Sequence, residues 1–180
     1  MLDAFKSLAD TGAPLSTLQR VLLITDGTVT DVLEAYAGER MKVVLLAQDF
    51  GPPVGPGLGF GLELDDGERV LRRSILLQGR ETGTNFMYAD SVISANRLDD
   101  DMLDGLLRGE KPLGRLLAEQ KCETFREIVG LGKEPAGVNA RHFRMSESDV
   151  LIFRTYRIVM RQQPIMRITE KFPSHFFAVG

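Results

Sequence analysis

Two charged residues occupy strand positions where apolar side chains are expected, and they are the residues best suited to chemistry. In RVLRRSILLQ, residues 69–78, side chains of an extended chain alternate between faces with a period of two. Leu71, Arg73, Ile75 and Leu77 then share one face, while Val70, Arg72, Ser74, Leu76 and Gln78 share the more polar one. In IMRITEKF near the end of the chain, Met166, Ile168, Glu170 and Phe172 share a face, and Arg167, Thr169 and Lys171 oppose them. Arg73 and Glu170 are therefore directed inward by two different strands. A buried charge is costly unless it is paired. Either the two pair with each other or with other core partners, or they line a pocket. In a pocket, the planar Arg73 fork suits a ligand carboxylate. Glu170 suits a ligand hydroxyl or a proton transfer.

Other candidates carry less chemistry. Arg154 and Arg157 lie three apart on a strand and face opposite ways, which predicts structural roles and at least one solvated side chain. His142 and His175 fall near loop or terminal positions and are expected to be non-catalytic. Cys122 has no neighbouring histidine in sequence and is expected to be inert. Asp26 and Asp90 are possible acids, but turns or caps explain each. No GxSxG elbow and no HExxH zinc motif occurs. The stretch GPPVGPGLGFG, residues 51–61, lacks the GK[ST] of a phosphate loop and reads as a structural or lid-like loop.

These side chains need elements to position them. LSTLQRVLLI, residues 15–24, has helical apolar spacing. Asp26-Gly27 punctuates the chain, and TVTDVLEAYAG predicts a second helix with Thr28 as N-cap, Asp31 in its first turn and Gly38 closing it. MKVVLLA, residues 41–47, reads as a buried strand. The strand at 69–78 turns near Gly79 to Gly83 into a partner at 85–95. Residues 99–107 predict a helix with an acidic first turn, and KPLGRLLAEQK a second short one. CETFREIVGLG reads as a strand and residues 131–146 as irregular. LIFRTYRIVM, the turn RQQP and IMRITEKF form the clearest hairpin. Helices followed by hairpins predict an α+β fold with an antiparallel sheet.

The chain has 180 residues, enough for one domain over 1–180 with a sizeable core. One cysteine excludes an intrachain disulfide and a cysteine metal site, and fits a reducing compartment. The net charge of −3, from 22 basic and 25 acidic residues, argues against a nucleic-acid partner. No apolar run is long enough to span a membrane and no signal-peptide core is present, so a cytoplasmic location with no membrane partner is expected.

The segments DGTVTDVL, RVLRRSILLQG, KPLGRLL and RTYRIVMRQQPIMRITEKFP, in this order and spacing, resemble the chorismate pyruvate-lyase (4-hydroxybenzoate synthase) family, most closely its actinobacterial branch, over about residues 20–177. The resemblance implies a single domain with a six-stranded antiparallel sheet, helices on one face, and helical flaps over a buried ligand site. It implies a carbon–oxygen lyase that converts chorismate to 4-hydroxybenzoate and pyruvate with no metal or cofactor, as a monomer or weak homodimer. Carried over residue by residue, Arg73 falls on the arginine that clamps the ring carboxylate and Glu170 on the glutamate at the hydroxyl end. Val29 and Leu113 fall on flap positions that touch the ligand partly through backbone N–H groups, with Thr28 and Gly114 beside them. Distant branches often have Met at the position of Val29, so pocket size is open. Two alternatives stand beside the lyase. One is a diverged enzyme acting on another small carboxylate or secondary-metabolite substrate. The other is a non-enzymatic binder of small aromatic acids, since effector domains of GntR-type regulators resemble this fold; those are joined to a DNA-binding domain, for which 180 residues leave no room.

Overall fold

The structure, a computed structural model, describes residues 14–51, 62–65, 67–109, 111–119 and 123–178. The loop expected at 51–61 lies, beyond Gly51, outside the described residues, as does Cys122. Helix α1 spans Thr17–Ile24 and α2 spans Val29–Ala37. They are followed by strands β1, Met41–Gly51, β2, Val70–Gly79, and β3, Asn85–Ser94. Helices α3, Asp100–Arg108, and α4, Leu113–Glu119, precede β4, Thr124–Pro135. A short α5, Ala140–Phe143, leads to β5, Val150–Met160, and β6, Gln163–Pro173. The six strands form one sheet in the order β1-β2-β3-β6-β5-β4, and every neighbouring pair is antiparallel.

Local chemistry explains the boundaries. Ser16 and Gln19 form a reciprocal capping box that starts α1. Asp99 accepts from the Met102 N–H to start α3. Gly38 and Gly109 end α2 and α3 in the left-handed conformation that costs glycine nothing. The β5–β6 turn places Arg161 and Gln162 at φ of 51° and 65°, the geometry that matches the twist of a two-residue hairpin.

Thr28 stands at the N-cap of α2 as expected, without a side-chain capping bond. Two expectations need correction. β1 is not a buried strand; it is a sheet edge, longer than expected, on which Leu45 and Leu46 are exposed. Residues 131–146 are not wholly irregular: β4 runs to Pro135, a 3₁₀ turn covers Gly137–Asn139, and α5 follows.

The main core lies between one sheet face and helices α1 to α4. Leu22, Leu33, Met102 and Leu116 of the helices meet Leu71, Ile93, Met166 and Phe172 of the sheet. The opposite face carries two smaller apolar clusters. One places Phe143 of α5 against Leu151, and the other gathers Leu62, Val70 and Val92. The chain end fastens α1 and α2 over the inner face of the sheet. Ser16 Oγ donates to the Phe177 carbonyl at 2.5 Å, Gln19 Nε2 to that of Ser174 at 2.8 Å, and the Tyr36 hydroxyl to that of Phe176 at 2.5 Å. Arg115 of α4 donates to Glu34 of α2 at 2.7 Å, which draws α4 against the start of α2. These ties hold residues 25–30 and 112–114 above the inner face of the sheet.

Candidate active site

The inner sheet face reads as a grid whose rows run across the strands. Arg73 stands opposite Ser91, Ser91 opposite Ile168, and Ile168 opposite Tyr156. One row over, Ile75 stands opposite Ala89, Ala89 opposite Glu170, and Glu170 opposite Arg154. All eight residues line one cavity. Its walls and roof include Gly27, Thr28, Val29 and Thr30 from the corner before and within α2, and Pro112, Leu113 and Gly114 at the start of α4. The space between atoms here is about 670 Å³, open solvent included. The lining is mainly apolar with a few charged groups, the usual composition of a small-ligand site.

The two inward charges take different roles. Arg73 is 5% exposed, and its Nε and Nη2 have no hydrogen-bond partner. Burial pulls its pKa below the ordinary value, as for a cation stripped of water without a counter-charge. Glu170 is 6% exposed, and each of its oxygens accepts one bond from the protein. Its Oε2 accepts from Arg154 Nε at 2.7 Å and its Oε1 from the Tyr156 hydroxyl at 2.9 Å. Burial, and then the Glu170 carboxylate, push the Tyr156 pKa far up, so the phenol keeps its proton and donates. An ionised carboxylate has about four lone-pair sites; two are used here, and the others remain for a ligand.

Every residue expected at the site lines this cavity: Arg73, Glu170, Thr28, Val29, Leu113 and Gly114. Arg73 and Glu170 do not pair with each other. Thr28 and Gly114 touch so closely that a Cβ on Gly114 would lie 2.8 Å from Thr28 Cγ2, which joins the two roof segments. His142, Asp90 and Arg157, given no catalytic role above, do not line the cavity. His142 stacks on Tyr88 at 5.7 Å behind the sheet, and Asp90 accepts from Ser74 and Tyr88, each at 2.7 Å, on that same face. Arg157 bonds Glu127 at 2.6 Å. Among the described residues, no three His, Cys, Asp or Glu side chains gather where they could hold a metal ion.

Three functional-looking residues were missed. Arg154 is 2% exposed, the largest fully buried side chain among the described residues, and lines the cavity while pairing with Glu170. Tyr156 and Arg126 also line the cavity. The signal for the first two was available: Ile152, Arg154, Tyr156 and Ile158 share one face by period two. Arg154 Nη1 donates to the Thr25 carbonyl at 2.6 Å, and Arg126 Nη1 donates to that of Asp26. Two arginines from the sheet thus hold consecutive carbonyls of the corner between α1 and α2.

Comparison with known proteins bears on the family and the fold. The sequence model of a family described as chorismate pyruvate-lyase, Rv2949c-like, matches residues 23–179. The chorismate pyruvate-lyase of Mycobacterium tuberculosis H37Rv is 34% identical over 158 residues, spanning 85% of this chain and 78% of that protein. The Mycobacterium leprae chorismate pyruvate-lyase is 32% identical over 155 residues, spanning 85% and 72%. Among solved structures, the effector domain of PhnF from Mycobacterium smegmatis superposes with a TM-score of 0.65 at 15% identity, over 85% of this chain and 92% of that one. The C-terminal domain of the histidine utilization repressor from Pseudomonas syringae pv. tomato gives 0.61 at 16% identity, over 78% and 96%. At such identity these structures share the fold and nothing further.

Proposed function

The chain belongs to the Rv2949c-like chorismate pyruvate-lyase family, and on that premise we propose that it cleaves chorismate to 4-hydroxybenzoate and pyruvate in the cavity between Arg73 and Glu170. The observation that carries the reading is the buried, unpartnered Arg73 fork across an apolar floor from a Glu170 already oriented by Arg154 and Tyr156. A carboxylate in reach of Arg73 would satisfy its free N–H groups with two charge-assisted bonds. The open N-terminus of α2 at Val29, whose N-cap side chain makes no bond, would add backbone donors to the same acid, with the Leu113 amide opposite.

Chorismate carries a ring carboxylate, an enolpyruvyl ether at C3 and a hydroxyl at C4. In the reaction the C3–O bond breaks, the C4 proton leaves, and the enolpyruvyl methylene takes up a proton to give pyruvate. Aromatisation drives these steps. The protein's task is to hold one reactive conformer in a site with little water. Arg73 fixes the ring by its carboxylate. Glu170 accepts from the C4 hydroxyl with a free lone pair, or receives the departing proton. Thr28, Val29, Leu113 and Gly114 close over the ring. A closed roof of this kind makes product release a natural limit on turnover.

Incubation of the purified protein with chorismate, with pyruvate and 4-hydroxybenzoate followed together, tests this. Equimolar formation of both, lost in Arg73→Ala, supports the lyase. Pyruvate with another aromatic product overturns the regiochemistry. Tight binding of 4-hydroxybenzoate without turnover would favour the effector-binding role of the structurally similar PhnF domain.

A further inference from the structure

Three guanidinium groups and one carboxylate border the cavity, and the protein satisfies them unequally. Arg154 is engaged by Glu170 and the Thr25 carbonyl. Arg73 is unpartnered at Nε and Nη2 and suits one carboxylate. Arg126 remains. It is half-buried, its Nη1 donates to the Asp26 carbonyl, and among the described residues no acidic side chain pairs with it. The cavity therefore presents two cations without counter-charges, more than a single carboxylate calls for.

Their placement fits a ligand with two acids. On the grid, Arg126 stands opposite Ile158, Ile158 opposite Met166, Met166 opposite Ile93, and Ile93 opposite Leu71, two residues along β2 from Arg73. Four strand spacings separate the two backbones, about 19 Å. Both long side chains reach the same cavity from its opposite sides, with Ser91, Ile168 and Tyr156 forming the floor between them. A ligand with acids at two ends of one ring would meet one guanidinium at each end.

We propose that Arg126 is a second anion site, which binds the carboxylate of the enolpyruvyl group while Arg73 holds the ring carboxylate. This rests on the chorismate reading above. It adds that the site tells substrate from aromatic product by charge, because 4-hydroxybenzoate retains only the ring acid. When the C3–O bond breaks, the second carboxylate departs with pyruvate on the Arg126 side. Since Arg126 also holds Asp26 beside the roof residues Gly27 to Val29, an acid arriving there meets the side chain that fastens the roof.

Calorimetry with 4-hydroxybenzoate and with the unreactive dicarboxylate 3-(carboxymethoxy)-4-hydroxybenzoate tests the site independently of turnover. Arg126→Gln is expected to weaken the dicarboxylate by at least about tenfold, the scale of one charge-assisted bond. It is expected to change 4-hydroxybenzoate by less than about threefold. Arg126→Lys should recover part of the loss, and kcat/KM for chorismate in Arg126→Gln should fall mainly through KM. Equal weakening of both acids would overturn the proposal and leave Arg126 as a tether for the corner. Unchanged dicarboxylate affinity would overturn it too. If Arg126→Gln fails to fold, the same comparison in Arg126→Lys decides. A wild-type protein that releases no pyruvate from chorismate defeats the lyase reading alone, since the two-acid comparison still judges Arg126.

Discussion

Arg154 and Glu170 stand directly opposite each other on β5 and β6, with Nε and Oε2 2.7 Å apart and both side chains buried. The pair does two jobs. It fixes one Glu170 oxygen while Tyr156 fixes the other, and it lets the second Arg154 nitrogen hold the Thr25 carbonyl. Removing one member leaves the other charge buried without a partner. Arg154→Ala and Glu170→Ala should each destabilise by about 3–5 kcal/mol. The double variant Arg154→Met/Glu170→Leu should cost much less than the sum. Urea denaturation of the three variants checks this, and additive losses would contradict it.

Arg73 should behave in the opposite way. Its Nε and Nη2 have no partner among the described residues, so Arg73→Met replaces an unsatisfied buried cation by an apolar side chain of similar length. Thermal stability should hold or rise. Affinity for 4-hydroxybenzoate should fall by about 10- to 100-fold, the range for a hydrogen bond to a charged group. Melting and titration of the same sample measure both. A loss of stability with unchanged affinity would return Arg73 to a structural role.

The roof depends on a close contact. Gly114→Ala places a Cβ 2.8 Å from Thr28 Cγ2 and 3.1 Å from its Oγ1, so the two roof segments must part. We expect a cost of about 1–3 kcal/mol and a raised KM. Thr28→Ala removes both atoms and leaves only a Cβ at 3.4 Å, an ordinary contact. The double variant Gly114→Ala/Thr28→Ala should therefore recover most of the stability. A double-mutant cycle showing no coupling would disprove the contact.

Acid sensitivity has a definite sign. Burial alone would raise the Glu68 pKa, but bonds from Ser94, the Asp65 N–H and Arg97 outweigh it and hold the carboxyl below its ordinary 4.5. Glu34 is likewise raised by burial, and lowered further by bonds from the Met41 N–H, Arg115 and Arg40. Both groups are depressed in the folded state. Their contribution is complete above pH 4.5 and is lost as pH falls through the folded values. His142, lowered from 6.5 by burial and then by Arg141, adds a decline that begins below pH 6.5, because the unfolded chain takes up the proton first. Denaturation at pH 7, 5.5 and 3.5 should show falling stability. Glu68→Gln should lower stability at pH 7 and flatten the acid limb.

Much of the fold and part of the site follow from local rules that any extended or helical segment obeys. Period-two alternation alone directs Arg73 and Glu170 to the inner face, because neighbouring strand side chains must point to opposite sides. Capping residues and glycines mark the helix ends at Ser16, Asp99, Gly38 and Gly109, because unpaired backbone groups there need partners or a left-handed turn. Motif order pointed to the family.

Strand neighbours, by contrast, are fixed only when the sheet assembles. β1 carries an apolar run that reads as interior, yet the order of strands leaves it at an edge. Alternation gives Arg154 a face without naming a partner. Only the β5–β6 register sets it against Glu170, 16 residues away, and leaves Arg73 alone on β2. Arg126 joins the cavity through a sheet order that sequence does not state and a corner carbonyl 100 residues earlier. The residue types and their facing are written locally, since they depend on backbone geometry. Which charge is paired and which stays open to a ligand is a long-range property, decided by the tertiary arrangement that places strands and helix corners side by side.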